Sequence, residues 1–282
     1  MKTYEALPVS DIRYRLGESP FYDPRYGRLS WVDIPEGKIY SMYADRTEVT
    51  DLKQPVGAAV PLRRSDGFAA AGKDGLYIAE NGSVSLLYDL SDVYKPFLRS
   101  NDAKADPAGR LWFGSSCNED GHEPQGALYR YDGTVKMMQS DTRISNGMAW
   151  NSAQDRFFFS DTLFYAVFVY DYDKSGEISG RRVLAQITDG CPDGLCIDKN
   201  DDLWIAIWGG SRVECRSGIT GEKLAEIHVP AEHVTSCAFG GEDMRTLYIT
   251  SSGDGLDGRY DGCIFSCRVD AEGPAPDTAV IW

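Results

Sequence analysis

The chain has 282 residues, of which 42% are hydrophobic and 12% aromatic, so it can bury the core of one large domain. A formal net charge of −14 and a pI near 4.7 exclude the basic surface that binds nucleic acids and anionic membranes. A mean hydropathy of −0.36, with no apolar run approaching about 18 residues, excludes a membrane-spanning helix.

The first residues, Met1–Ala6, contain no apolar core of a signal peptide. The seven cysteines are odd in number and scattered along the chain. Both observations predict a cytoplasmic protein without a disulfide framework. No stretch rich in proline, glycine or serine divides the sequence, so we expect a single domain over residues 1–282.

Six short segments share one pattern, in which a starting residue is followed five positions later by a turn-forming residue and then by a strand-like run. The six starts are Glu18, Val56, Asn101, Asn146, Asp193 and Ser236. The residues five positions later are Asp23, Pro61, Asp106, Asn151, Asp198 and Gly241. Successive starts are 38, 45, 45, 47 and 43 residues apart, which predicts one supersecondary unit repeated six times, with the unit at Val56 fitting least well.

Each start is followed by an apolar run, a polar turn and a second run rich in aromatic and β-branched residues. The second runs are Leu29–Ile34, Gly75–Ala79, Leu111–Gly114, Phe157–Ser160, Leu203–Trp208 and Leu247–Thr250. Third runs include Lys38–Met42, Ala127–Tyr131 and Ala166–Tyr170. No long stretch has the apolar period of about 3.6 residues that marks a helix. The pattern predicts an all-β fold, a six-bladed β-propeller in which one end of the chain completes a blade begun by the other.

The start positions carry two carboxylates, two amides and one hydroxyl. If the repeats surround an axis, these side chains converge on one channel. Convergent oxygen ligands without histidine predict a hard-metal site suited to Ca²⁺, Mg²⁺ or Mn²⁺. The alternative for Asn146-Gly147 and Asp193-Gly194 is an ordinary hairpin turn, although a turn alone does not explain a carboxylate before Ser19-Pro20.

Five motifs lie at the repeat starts: Leu16-Gly17-Glu18-Ser19-Pro20, Asn101-Asp102 with Asp106–Arg110, Ser145–Trp150, Pro192-Asp193-Gly194 and Thr235–Gly241. In this order and spacing they resemble the SMP-30/gluconolactonase/luciferin-regenerating enzyme family over nearly the whole chain. The resemblance implies a six-bladed propeller that holds one divalent cation in its central channel and hydrolyses sugar lactones. By position it implies Glu18, Asn146 and Asp193 as metal ligands, and it implies that Arg99, Asn101 and Glu119 contact the substrate.

The chemistry of a lactone fits such a site, because a cyclic ester needs a polarised carbonyl and a nucleophilic water. The cation would polarise the carbonyl, and Asp193 would activate the water as general base. Ca²⁺ is the expected cation, with Zn²⁺, Mn²⁺, Mg²⁺ and Fe²⁺ as alternatives. The expected partner is a small sugar lactone, with no nucleic acid or membrane, and the chain is expected to be a monomer or weak homo-oligomer.

Two other functions remain open, namely hydrolysis of aryl or phosphate esters at the same site and a non-enzymatic role as a cation-binding regulator. Taken alone, Glu119 is typical of a solvated loop and Arg99 of a structural ion pair. The chain lacks the GxSxG elbow of serine hydrolases. Its three histidines lie out of phase with the repeats, which argues against a histidine-ligated zinc enzyme.

Overall fold

The structure is a computed structural model and describes residues 1–117 and 122–281. This part of the chain contains 25 β-strands and one short helical element, a 3-10 turn at Thr162–Phe164. The predicted all-β class is therefore confirmed.

The chain begins with two short strands, β1 (Lys2–Glu5) and β2 (Leu7–Pro8), and continues with four antiparallel sheets of four strands each. The first sheet contains β3 (Gly17–Asp23), β4 (Arg28–Asp33), β5 (Lys38–Met42) and β6 (Thr47–Asp51). The second contains β7 (Val56–Pro61), β8 (Phe68–Gly72), β9 (Gly75–Glu80) and β10 (Ser83–Asp89). The third contains β11 (Leu98–Ala105), β12 (Leu111–Cys117), β13 (Gly126–Tyr131) and β14 (Val135–Thr142). The fourth contains β15 (Ser145–Trp150), β16 (Arg156–Asp161), β17 (Ala166–Tyr172) and β18 (Ile178–Gln186).

The remaining strands form a nine-stranded sheet together with β1 and β2. They are β19 (Cys191–Ile197), β20 (Leu203–Trp208), β21 (Arg212–Arg216), β22 (Lys223–His228), β23 (His233–Gly240), β24 (Thr246–Ser252) and β25 (Phe265–Arg268). β1 pairs in parallel with β22, and β2 pairs antiparallel with β25, which confirms the expected pairing between the two ends of the chain. The groups β19–β22 and β23–β25 are joined where Trp208 pairs with His233, a junction that the repeat pattern does not predict.

Burial falls from the first strand to the last strand of the four-stranded sheets. β7 and β15 are buried throughout, whereas β6 and β10 are mostly exposed. The first strands contact one another in a closed series, from β3 through β7, β11, β15, β19 and β23 back to β3. The fold is therefore propeller-like, with sheets arranged around an axis that the first strands line.

Each of these first strands carries a β-bulge near its beginning, where its pairing with the second strand shifts register. The shifts fall between Glu18 and Phe21, Val56 and Ala58, Ser100 and Ala103, Ser145 and Met148, Pro192 and Leu195, and Val234 and Ser236. Every predicted repeat start lies at or next to a bulge. Because a bulge redirects side chains, the repeat in the sequence reflects a repeated backbone irregularity as well as a hydrophobic pattern.

The residues five positions after the starts stabilise the turns that follow the first strands. Asp106 Oδ1 accepts the backbone N–H groups of Ala108 at 2.9 Å and Arg110 at 3.0 Å. Asp198 Oδ1 accepts that of Asn200 at 2.8 Å in the same way. Side-chain acceptors of this kind fix a turn by satisfying its free N–H groups, so the turn-forming role predicted for Asp106 and Asp198 is confirmed. Pro61, at the same place in its repeat, is the last residue of β7 and pairs with Phe68.

Candidate metal centre

Glu18, Asn146 and Asp193 lie at the bulges of β3, β15 and β19, and all three side chains are buried. Ser19 has a φ of 49°, in the left-handed region, and its N–H donates to Glu18 Oε2 at 2.5 Å. Ser160 Oγ donates to the backbone carbonyl of Asp193 at 2.6 Å. These local contacts hold the backbone at two of the three predicted ligands.

A chain of hydrogen bonds links the third sheet to the fourth. Arg99 Nη1 donates to Asn101 Oδ1 at 2.8 Å, and Asn101 Nδ2 donates to Asn146 Oδ1 at 2.9 Å. Asn146 Nδ2 donates in turn to Thr162 Oγ1 at 2.7 Å. Asn146 is thus held at both ends of its amide, and its oxygen keeps one lone pair for another partner.

Three carboxylates, those of Glu18, Asp193 and Asp102, share this buried region. Burial is the main cause that raises the pKa of Glu18 well above its ordinary value, and the charges of Asp193 and Asp102 add to it. The hydrogen bond from the Ser19 N–H and the charge of Arg99 lower this pKa by less. Burial and then Asp102 raise the pKa of Asp193 in the same direction. Because only neighbouring groups perturb one another in this way, the structure brings the predicted ligands of β3 and β19 together.

Two cations act on these carboxylates, Arg99 on Glu18 and Asp193, and Lys104 on Asp102. Burial lowers the pKa of Arg99 to about 10, although Glu18 and Asp193 oppose this shift. Within the described residues, none of the three carboxylates has an ion pair within 4.0 Å. Buried charge without a direct partner is destabilising, so two carboxylates and an amide oxygen in one place fit a divalent cation.

Asp102 and Thr162 belong to this cluster, although the repeat pattern does not single them out. Side chains alternate along a regular strand, so Asn101 and Asp102 should face opposite sides. The bulge between Ser100 and Ala103 interrupts that alternation at these two residues, and both side chains are buried. Two adjacent polar residues inside a buried strand are the signal from which Asp102 could have been found.

The remaining predicted positions divide into three cases. The structure places Glu18, Arg99, Asn101, Asn146 and Asp193 in one cluster. Ser236, the sixth repeat start, is buried against the backbone of Gly194 in β19. Glu119, the third predicted substrate contact, lies outside the described residues.

A second group of side chains, Asp198, Asp202 and Cys215, has its ligand atoms within 4.8 Å of one another. Asp198 is already engaged, because its Oδ1 accepts turn N–H groups and its Oδ2 accepts Trp204 Nε1 at 3.0 Å. Asp106, two repeats earlier, accepts turn N–H groups and an indole N–H in the same way. We therefore assign Asp198 a structural role rather than a place in the metal centre.

The sequence model of the SMP-30/gluconolactonase/LRE-like region matches residues 16–253 of this chain. The chain belongs to this family. A relative from Bacillus subtilis (strain 168), named as a candidate sugar lactone lactonase, YvrE, is 35% identical over 292 residues, covering 96% of this chain and 97% of its own. Regucalcin of Homo sapiens is 34% identical over 255 residues, covering 86% of this chain and 85% of its own.

A solved structure has the same fold along nearly the whole chain. Regucalcin of Agrobacterium tumefaciens str. C58, described as a calcium-binding protein, superimposes with a TM-score of 0.91 at 25% identity. The match covers 99% of this chain and 98% of that one. Within residues 1–117 and 122–281, the present chain has no helix that is long and apolar enough to cross a bilayer.

Proposed function

We propose that this chain is a metal-dependent hydrolase of sugar lactones, which cleaves the carboxylic ester bond at the cluster of Glu18, Asn146 and Asp193. The observation that carries the proposal is the pair of buried carboxylates of Glu18 and Asp193. They come from distant parts of the chain, both are buried, and neither has an ion pair within 4.0 Å in the described residues. The charge of Asp193 also raises the pKa of Glu18. Membership of a family that includes a candidate lactonase supports the reaction.

The proposed scaffold is a six-bladed propeller with the metal site in its channel. Four sheets supply one blade each, β19–β22 supply a fifth, and β23–β25 with β2 supply a sixth. In this division the pair Trp208–His233 is a contact between two blades, and β1 is an extra strand on the fifth. The closed series of contacts among the six first strands supports this arrangement.

Glu18, Asn146 and Asp193 would hold the cation. Two carboxylates and an amide oxygen suit Ca²⁺ best, with Mg²⁺, Mn²⁺, Zn²⁺ and Fe²⁺ as alternatives. The calcium-binding relative from Agrobacterium supports this choice. When bound, the cation would supply Lewis acidity to the lactone carbonyl.

The side chains around this position would carry the remaining steps. Asp193 would take the proton of the attacking water as general base, and the bond from Ser160 to its backbone keeps it in place. Arg99 and Asn101 would orient the sugar ring, because guanidinium and amide groups present fixed donors to hydroxyl oxygens. Glu119 would add an acceptor for a sugar hydroxyl.

The test is a panel of sugar lactones and aryl esters, assayed with a pH indicator on metal-stripped protein and again after Ca²⁺, Mn²⁺ or Zn²⁺ is restored. We expect lactone hydrolysis only in the restored protein. Turnover of aryl esters without lactones would favour an esterase on the same scaffold. Cation binding without turnover of either class would favour a regulator.

A further inference from the structure

Residues 272–280, here named the C-terminal strap, cross the ring of first strands at one end. Near the beginning of the strap, the Gly273 N–H donates to the Met244 carbonyl at 2.8 Å. At its end, the Val280 N–H donates to the Gly109 carbonyl, also at 2.8 Å. Met244 follows β23 and Gly109 follows β11, and these strands lie opposite each other in the series of first strands. The strap therefore spans the mouth of the channel.

The strap encloses a cavity of about 320 Å³ at this mouth, near the lower limit of small-molecule sites. Its apolar lining includes Phe21, Tyr22, Trp150, Ile197, Phe239 and Pro276. Lys104 also lines it and lies three residues after Asn101 in β11, roughly 10 Å along the strand from the candidate metal centre. This space, here named the strap cavity, is separate from the cluster at Glu18.

Lys104 and Asp277 are charged side chains that line the strap cavity without an ion pair in the described residues, although the charge of Lys104 also acts on Asp102. Lys104 Nζ donates to the Leu195 carbonyl at 2.7 Å, and an ammonium group has three donors. Within the described part of the chain, neither Lys104 nor Asp277 has an ion pair within 4.0 Å. The other charged side chains that line the cavity already have turn, serine or ion-pair partners: Asp198, Asp201 and Lys199.

We propose that the strap cavity binds a small carboxylate with an apolar body. The carboxylate accepts hydrogen bonds from Lys104 Nζ, because a partly buried ammonium with spare donors favours an anion over a neutral group. The apolar body fills the space between the aromatic walls, where its burial supplies most of the affinity. This site does not depend on the proposed lactone hydrolysis.

Asp277 makes the binding sensitive to pH. Burial and then the charge of Asp106 raise the pKa of Asp277 to about 6, against Arg63 and Lys104. Above this pH the Asp277 carboxylate competes with the ligand for Lys104 and repels it. Below this pH the neutral acid no longer repels an anion and can donate to it. Affinity for a carboxylate therefore rises as pH falls from about 7.5 to about 5.5.

Isothermal titration of the full chain with 3-phenylpropanoate tests the proposal, with 3-phenylpropanamide as the matched uncharged probe. We expect the carboxylate to bind at least about tenfold more tightly than the amide, the effect of one charge-assisted hydrogen bond. Equal affinity for the two probes, or no binding of the carboxylate at either pH, would overturn the proposal.

Two matched substitutions locate the probe by removing a cation at each end of the channel. Lys104→Met should weaken 3-phenylpropanoate binding by about tenfold or more, whereas Arg99→Met at the metal centre should leave it unchanged. The reverse result would overturn the assignment to the strap cavity.

Asp277→Asn provides a test that does not depend on the folding of the Lys104 variant. At about pH 7.5 this variant should bind 3-phenylpropanoate as tightly as the wild type does at about pH 5.5, with little further change on acidification. A wild-type pH dependence in Asp277→Asn would contradict the role of Asp277, and weaker binding at both pH values would contradict the proposal.

Discussion

Asp193 is the residue at which loss of the cation and loss of the reaction should coincide. Asp193→Asn removes one of the two charges of the proposed ligand set, so cation occupancy should fall close to zero. Turnover should fall by at least roughly 100- to 10,000-fold, the range for loss of a general base alone, because the cation is lost as well. The substitution also removes a buried charge, so the metal-free variant should melt at a higher temperature than metal-free wild type. Metal analysis, lactone assays and thermal melts with chelator measure the three effects.

Asp198→Asn is the matched control for that experiment. Its carboxylate accepts turn N–H groups and the Trp204 indole, so this variant should keep the cation and melt at a lower temperature with or without metal. Full cation occupancy in Asp193→Asn, together with loss of metal in Asp198→Asn, would move the metal centre to the second acidic group.

Asn101 should affect substrate use more than metal binding. Asn101→Ala keeps both carboxylates, and Asn146 keeps its hydrogen bond to Thr162. Cation occupancy should therefore stay near the wild-type value, while kcat/KM for a lactone falls about tenfold or more. Kinetics and metal analysis on the same preparation separate the two effects, and a parallel loss of metal would show that Asn101 mainly supports the ligands.

The carboxylate of Glu214 should make the stability of the folded protein vary with pH in the acid range. Burial alone would raise its pKa, but hydrogen bonds from Arg212, Lys223 and Arg216 hold it below the ordinary value of 4.5. Because the pKa of Glu214 is lower in the folded than in the unfolded state, its carboxylate stabilises the fold fully at pH above the unfolded-state pKa. This stabilisation is lost as pH falls through the folded-state pKa. Glu214→Gln should therefore lower the melting temperature at neutral pH and make less difference as pH falls below 4.5.

Asp171→Asn is the control for Glu214. Asp171 is paired with Arg182 at 2.7 Å on the surface, and exposed ion pairs contribute little. Melting temperatures measured across the acid range should show almost no effect of this change. If Glu214→Gln gave a pH-independent loss of stability, its contribution would come from packing rather than charge.

Some residues of the candidate metal centre could be predicted from the sequence, and others could not. Glu18, Asn146 and Asp193 could be grouped because the repeat places them in one phase. The repeat does not include Asp102, which lies one residue after the start at Asn101 within the bulge of β11, so only its place beside another buried polar residue pointed to it. The hydrogen bond from Asn146 to Thr162 depends on the 3-10 turn after β16, for which the repeat gives no signal.

Among the elements, the bulge of β7 leaves no room for a side chain at Gly57. A Cβ at Gly57 would lie 2.1 Å from the carbonyl oxygen of Asn101 and 2.7 Å from that of Ser100. Both are backbone atoms of the neighbouring first strand, so Gly57→Ala should destabilise the fold by about 1–3 kcal/mol, the range for overpacking. Denaturant unfolding measures the change.

Gly253→Ala is the control for Gly57→Ala, because a Cβ at Gly253 would lie 3.1 Å from its nearest neighbouring atom. Its loss of stability should be clearly smaller. Gly57→Ala should also weaken lactone turnover, since the strand that it displaces carries Asn101. Equal and small losses in both variants would mean that the two strands can separate without strain.

Local pattern predicted individual strands well where a regular pattern met clear turn residues. The runs at Lys38–Met42 and Leu203–Trp208 coincide with β5 and β20. The turn at Asn81-Gly82 forms with both residues at positive φ, as hairpins require. The fourth strands, such as β14 and β18, are exposed and irregular in pattern, so their bounds depend on pairing with the third strand.

For the whole molecule, residues 1–8 supply the two outer strands of the nine-stranded sheet. Without β1 and β2, the edges of β22 and β25 would expose unpaired N–H and C=O groups. Deletion of residues 1–8 should therefore lower the melting temperature and promote self-association. Thermal melts and light scattering after size-exclusion chromatography measure both effects.

Leu7→Ser is the control, because this side chain is 68% exposed and the backbone pairing of β2 is retained. It should leave both the melting temperature and the mass in solution unchanged. A deletion variant that stays monomeric and melts with the wild type would show that the first two strands do not stabilise the sheet.

Two long-range features could not be predicted from the sequence, although the pairing of the two chain ends could. The single pair Trp208–His233 joins two groups of strands through backbone contacts that leave no pattern in composition. The strap is irregular and rich in proline, and its path across the channel depends on hydrogen bonds to Met244 and Gly109, far away in the chain. Repeats predict what is repeated, whereas the pair Trp208–His233 and the strap each occur once.

The pairing of Leu7 in β2 with Ser266 in β25 also sets an order of events during synthesis. The ribosome releases β2 first and its partner almost last, so at ordinary elongation rates β2 waits roughly 10 to 50 s for a strand to join. The intervening four-stranded sheets depend on local contacts and can form during that interval. On a polysome, β25 of a neighbouring chain that is already complete could pair with the waiting β2 in place of the chain's own β25. The pairing of β2 with β25 that closes the ring of strands within one molecule is therefore also the pairing through which two nascent copies could exchange strands.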